Sequence, residues 1–146
     1  MLETKNTNGL GLVNEVFKSD GITGIREVNL SEEVHKVLGL VAVLSKGKNI
    51  PWVKTAADIL ERTHNCLVSR AQPYSDSVKE IVSETSEFQK SICMAMAPNT
   101  PSNLFNAVTE CGMAAEAVMK RSDTSRSHLL QACRYLQQAL VSGELV

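Results

Sequence analysis

Residues 49 to 97 constrain the fold of this 146-residue chain more than any other stretch. They read as two long amphipathic helices joined at Gln72-Pro73-Tyr74-Ser75, because apolar residues recur at spacings of three and four. Two helices joined by so short a turn face each other, and their combined apolar surface needs further helices to cover it. The residues on the two apolar faces are Trp52, Val53, Ala56, Ile59, Leu60, Thr63, Leu67 and Ala71, then Val78, Ile81, Val82, Thr85, Phe88, Ile92, Ala95 and Met96.

Three more helices are predicted around this pair. The first starts with Ser31 as its N-cap and ends near Gly47, a residue that readily adopts the left-handed C-terminal conformation. A fourth follows Pro98-Asn99-Thr100-Pro101, with Thr100 or Ser102 as its cap, and a fifth begins around Asp123 or Ser125. Because the connections are short, we expect an all-α, up-and-down bundle of four to five helices over residues 31–146.

Residues 1–30 are predicted to form a loosely attached N-terminal arm, because polar and glycine-containing stretches surround one short apolar segment. Leu12, Val16 and Phe17 would lie on one face of about two helical turns in this segment. Two interpretations remain open. The arm packs along the bundle, or its apolar face docks on a partner protein or a membrane surface.

Composition excludes several classes of protein. The net charge of −1 gives no global basic field of the kind that binds nucleic acid, so we expect no nucleic-acid partner. No stretch approaches the roughly 20 uninterrupted apolar residues of a transmembrane helix, and the first residues do not resemble a secretory signal. We therefore expect a cytoplasmic protein, able at most to associate peripherally with a membrane.

The cysteines and histidines do not form a pattern typical of a catalytic or metal site. Cys66, Cys93, Cys111 and Cys133 fall one to a helix, and the predicted heights bring only Cys111 and Cys133 to the same level. We expect four buried thiols that act as small apolar side chains. His35, His64 and His128 lie on three helices without carboxylates at ligand spacing. We therefore expect no catalytic residue, no metal, no cofactor and no enzymatic activity.

The most plausible recognition surface is a basic cluster around the turn between the first two bundle helices. Lys46, Lys48 and Lys54 lie there, and Arg62 follows further along the second helix. Ile50 and Trp52 look exposed beside them, and lysines next to an aromatic ring suit anionic lipid head groups. The alternative is that these charges only solvate a helix end.

The stretch Asn49-Ile50-Pro51-Trp52-Val53-Lys54-Thr55-Ala56-Ala57-Asp58-Ile59-Leu60, followed by Asn65-Cys66 and a second long helix, resembles the HeLo family. It is also similar to the helical bundle of the mixed-lineage kinase domain-like family of immune cell-death proteins. The resemblance spans roughly residues 31–97. It implies a four-helix bundle with an extra brace that oligomerises on a trigger, engages anionic lipid and permeabilises membranes.

On this interpretation the chain is a non-enzymatic signalling bundle of a cell-death or immune response. Its lipid-binding residues would be Lys46, Lys48, Lys54, Arg62 and Trp52, with Leu12, Val16 and Phe17 as the apolar part, and a homo-oligomer would form. The alternative is a helical adaptor similar to focal-adhesion-targeting domains, which holds an amphipathic peptide of a partner protein between two helices. An adaptor should leave an apolar strip exposed.

Overall fold

The computed structural model of the protein describes residues 29–69 and 75–146. All regular structure in these residues is helical, which confirms the predicted all-α bundle. The predicted arm of residues 1–30 lies, except for its last two residues, outside the described part of the chain. The five helices are α1 (Leu30–Leu44), α2 (Pro51–Val68), α3 (Asp76–Met96), α4 (Ser102–Met119) and α5 (Ser125–Val141).

Consecutive helices run in opposite directions, as the short connections predict. Between α3 and α4, Thr85 lies against Gly112, whereas Gln89, one turn later, donates to Thr109 at 2.7 Å, one turn earlier. Helices α4 and α5 are likewise antiparallel, since the start of each lies beside the end of the other. The ends of α1, α3 and α5 therefore share one end of the bundle with the starts of α2 and α4.

Helix α4 is the central element of the bundle, since it packs against α2, α3 and α5. A helix with three neighbours must bury most of its circumference, and small side chains let those neighbours approach closely. The composition of α4 meets this requirement. Its buried residues are Leu104, Ala107, Val108, Cys111, Gly112, Ala114, Ala115 and Ala117.

Glycine and proline set two helix ends where the sequence predicts them. Pro51 occupies the first position of α2, where its missing N–H costs nothing. Gly47 follows α1 with a φ of 72°, a conformation that suits glycine. The predicted N-caps of α1 and α4 are wrong: α1 begins one residue earlier, at Leu30, and Pro101 precedes α4 without a side-chain cap.

The segment after α5 supplies the caps that the starts of α2 and α4 lack. Leu104 donates its backbone N–H to Oε1 of Glu144 at 3.1 Å, and Asn103 Nδ2 donates to Oε2 at 2.9 Å. Val53 donates its N–H to the backbone oxygen of Val146 at 2.7 Å. A carboxylate at a helix start satisfies free N–H groups and is favoured by the helix dipole. This segment therefore joins three helices at one end of the bundle.

Helices α3 and α4 are in close contact at Gly112. A Cβ placed there would lie 2.7 Å from Cγ2 of Thr85 and 3.2 Å from both Cβ and Oγ1 of the same residue. The Thr85 hydroxyl is buried without a hydrogen-bond partner among the described residues, which destabilises the fold locally. A larger residue at position 112 would therefore clash with the Thr85 side chain.

We expect Glu144→Ala to lower the free energy of unfolding by about 0.5–2 kcal/mol, the usual loss for a helix cap. The measurement is urea denaturation followed by circular dichroism. Glu80→Ala, at an exposed position of α3, is the matched control and should change stability by less than about 0.5 kcal/mol. Equal effects of the two substitutions would contradict the capping role.

We expect Gly112→Ala to destabilise the protein by about 1–3 kcal/mol, because overpacking at the crossing outweighs the better helix propensity of alanine. Gly39→Ala is the matched control, because a Cβ at Gly39 meets nothing within 4 Å, and should be neutral or stabilising. Adding Thr85→Ala should rescue Gly112→Ala in the same denaturation assay. Failure of that rescue would show that Thr85 is not the obstacle.

Candidate functional site

The turn between α1 and α2 holds the basic cluster in a defined geometry. Lys48 donates its N–H to the carbonyl of Ser45 at 2.9 Å, and Gly47 at the third position of this turn has the positive φ that such turns favour. Lys46 and Lys48 are exposed on the turn, and Lys54 is exposed in the first turns of α2. We call the end of the bundle that carries these three lysines the basic end.

The structure brings exposed apolar side chains to the basic end that sequence reasoning missed. Val43, Met94 and Val141 are 70%, 86% and 72% exposed. They lie in the last turns of α1, α3 and α5, which end on this side of the bundle. Their positions in the sequence could have indicated this exposure, because each is a large apolar residue near a helix end that does not fall on the spacing of the buried face. Lysines without an ion-pair partner among the described residues and exposed apolar side chains thus share one end.

Arg62 does not belong to this group. It lies eight residues beyond Lys54, about 12 Å along α2, and its guanidinium hydrogen-bonds to Glu84 and, at 3.0 Å, to Asp58. The bond to Glu84 is the main reason why the pKa of Arg62 is raised. Its charge is therefore balanced within the bundle, where it connects α2 to α3.

Trp52 and Ile50 contribute to packing more than to the surface. Trp52 is half-buried and meets the buried ring of Phe88 edge to face, with ring centroids 5.7 Å apart. Ile50 is only 3% exposed, so the expectation that it is exposed was wrong. Both residues begin α2 beside the core, and the periodicity of α2 alone did not reveal that the turn folds over them. Leu12, Val16 and Phe17 lie outside the described residues.

The cysteines differ in exposure. Cys66, Cys111 and Cys133 are buried, but Cys93 is exposed, so the prediction of four buried thiols was wrong for Cys93. Cys93 falls just outside the buried face that Phe88 and Ile92 define on α3. Burial raises the pKa of Cys133 to about 12, and burial together with the neighbouring Cys133 raises the pKa of Cys111 further. All four thiols are free.

Two histidine contacts were not predicted. His64 of α2 is buried, lies 3.0 Å through Nε2 from Oγ of Ser31, and meets the ring of His35 edge on at 6.0 Å. His128 of α5 bonds through Nδ1 to Oε1 of Glu110 at 2.8 Å. These pairs join α1 to α2 and α4 to α5. Sequence spacing did not reveal them because each pair comes from two helices whose relative height was unknown.

A shallow groove of about 410 Å³ lies between α1 and α5. Gly39 leaves open space in its wall, and exposed Val43 lies at its rim toward the basic end. This is the kind of apolar strip between two helices that an adaptor requires. Its lining residues are Lys36, Val37, Gly39, Leu40, Val43 and Gln137.

Residues 29–69 and 75–146 contain no group of three or more histidine, cysteine, aspartate or glutamate side chains arranged to hold a metal ion. No helix in the same two ranges combines the length and the apolar character needed to cross a membrane. Comparison of the chain with protein-family models, with curated proteins and with solved structures produced no match. The candidate site therefore rests on the geometry of the basic end.

We expect one fast-reacting thiol in the folded protein. At neutral pH a maleimide should modify Cys93 first, because it is exposed, whereas a pKa of about 12 leaves only about 10⁻⁵ of Cys133 ionised at pH 7. Mass spectrometry after timed labelling measures this, and Cys93→Ser should abolish the fast phase. Rapid labelling of Cys111 or Cys133 without denaturant would contradict the described packing.

Proposed function

We propose that this chain is a non-enzymatic signalling bundle whose basic end engages anionic membrane surfaces. The observation that carries the proposal is the coincidence of three exposed lysines with three exposed apolar side chains at one end. Lys46, Lys48 and Lys54 have no ion-pair partner among the described residues, so their charges are available to a ligand. A membrane interface offers anionic head groups and, below them, an apolar layer.

The size of the electrostatic attraction is adequate for reversible binding. Each lysine near an anionic surface contributes about 1 kcal/mol, so three lysines supply about 3 kcal/mol, or roughly a hundredfold in the binding constant. Because the charges are exposed, salt screens this attraction. Arg62 adds little, since Asp58 and Glu84 already balance its charge.

The exposed apolar side chains of the basic end would add hydrophobic contact with the lipid to the electrostatic attraction of the lysines. Val43, Met94 and Val141 are exposed near the ends of three helices that finish at the basic end, and we propose that they contact the lipid when this end meets the membrane. Removing a valine or methionine side chain from water contributes about 1.5–3 kcal/mol. Trp52 would act from behind this layer, since its ring already packs on Phe88.

The resemblance to HeLo bundles extends the proposal to oligomerisation and to a role in a cell-death or immune response. What supports this extension is the all-α bundle and the three exposed lysines of the basic end. In such a mechanism several copies would gather on the membrane with their basic ends toward the lipid. The arm residues Leu12, Val16 and Phe17 would then supply further apolar contact.

A second candidate is an adaptor that holds an amphipathic helix of a partner protein, and the groove between α1 and α5 favours it. Leu40 and Val43 would contact the apolar face of that helix, while Gln137 and Lys36 would contact its polar edges. This function needs no lipid. An adaptor would therefore stay in solution when anionic vesicles are pelleted.

The test is co-sedimentation of the purified protein with vesicles of neutral lipid, with and without phosphatidylserine. We expect binding only with the anionic lipid, at low salt, and a loss of about a hundredfold or more when Lys46, Lys48 and Lys54 are all changed to glutamate. Added salt should release the wild-type protein, because its attraction to the vesicles is screened.

The matched control replaces Lys36, Lys79 and Lys120 with glutamate, which changes net charge equally at exposed positions away from the basic end. Membrane engagement through the basic end requires this control to bind nearly as the wild type does. If both triple variants lose binding alike, only net charge matters. If the wild type stays in the supernatant at low salt, the lipid proposal fails and the adaptor becomes the leading candidate.

A further inference from the structure

The contact between α1 and α2 contains a buried titratable group that the lipid proposal does not use. His64 is 7% exposed, and its Nε2 lies 3.0 Å from the Ser31 hydroxyl on the first turn of α1. One turn further along α1, the His35 ring meets His64 edge on, with centroids 6.0 Å apart. The first two turns of α1 therefore pack against His64.

Burial is the main reason why protonation of His64 is opposed. His35 on α1 and Arg126 on α5 oppose it further, and Glu61 of α2 favours it among the described residues. All three side chains are exposed to solvent, so water screens much of their effect. The pKa of His64 is therefore lowered below its ordinary value of 6.5, with burial as the largest cause.

We propose that His64 is an acid-sensitive latch whose protonation releases α1 from α2 while the other four helices stay folded. A protonated imidazole can still donate to the Ser31 hydroxyl, so loss of that hydrogen bond is not the cause. The cause is the burial of the cation under α1, which ends once α1 moves away and the imidazolium becomes solvated. This inference is independent of lipid binding.

The direction of the pH effect follows from proton linkage. With α1 released, His64 regains solvent and its ordinary pKa of 6.5, so the released form binds a proton more readily than the closed form does. The closed form is therefore fully favoured above pH 6.5 and loses that advantage as the pH falls below it. Acid opens the latch and neutral pH closes it.

The packing explains why α1 would leave alone. Helix α4 contacts α2, α3 and α5, and the segment after α5 caps both α2 and α4, so these four helices keep a common core. Helix α1 covers that core with one valine face, Val34, Val37 and Val41, and is followed by an exposed turn containing Gly47. Its release would expose this face without breaking the caps.

Amide hydrogen exchange followed by mass spectrometry tests the latch on the full chain without lipid, after correction for the intrinsic effect of pH. In the wild type, lowering the pH from about 7.5 to about 5.5 should speed exchange in peptides of α1 by up to about tenfold, the most that one group with a released pKa of 6.5 supplies one pH unit below that value. Exchange in α2 to α5 should not change. In His64→Gln, whose amide can still bond Ser31 but does not titrate, α1 should keep its protection. His128→Gln, at the other histidine contact, is the control and should behave as the wild type does.

His35→Gln provides a second variant in case His64→Gln does not fold, since His35 is exposed on the surface of α1. It removes one group that lowers the pKa of His64, so exchange of α1 should respond to acid at a lower pH than in the wild type. Three results would overturn the latch: unchanged protection of α1 in acid, loss of protection in all five helices together, or the same loss in His64→Gln as in the wild type. None of them bears on lipid binding, which co-sedimentation tests separately.

Discussion

The burial of α4 is the constraint on which the rest of the bundle depends. Because three helices pack against it, most of the buried positions of α4 hold small residues, and position 112 is a glycine with Thr85 directly opposite. Close packing then fixes the height of α3 against α4, with Thr85 opposite Gly112. The remaining helices follow from this pair, and the polar contacts form where the packed helices bring their side chains together.

The two ends of the bundle differ in the contacts that hold them together. At one end Glu144 and the backbone of Val146 cap α4 and α2, which holds the helix ends in a fixed arrangement and leaves Lys46, Lys48 and Lys54 in solvent. At the other end His64 holds the start of α1. In the account proposed here, the first end meets anionic lipid and the second responds to acid. A bundle built this way can change the seating of α1 without disturbing the basic end's caps.

The sequence predicted the helical class, the five helices and their approximate ends, because apolar spacing, Pro51 and Gly47 act locally. It also placed the three lysines together, since they adjoin one short turn. It did not predict that Arg62 is balanced by Glu84, that Trp52 packs on Phe88, or that Val43, Met94 and Val141 share the basic end. Those contacts depend on the relative height and rotation of different helices, which spacing within one helix does not contain. Ile50 and Cys93 were misplaced for the same reason.

The central claim is that the basic end is the surface that meets the membrane, and site-directed spin labelling tests it most directly. Asn49→Cys at the basic end and Ser77→Cys at the other end, both exposed and both in a Cys93→Ser background, would each carry a nitroxide. On anionic vesicles the label at position 49 should lose its collisions with a water-soluble relaxant, while the label at position 77 keeps them. Shielding at position 77 instead, or at neither position in vesicle-bound protein, would contradict the account.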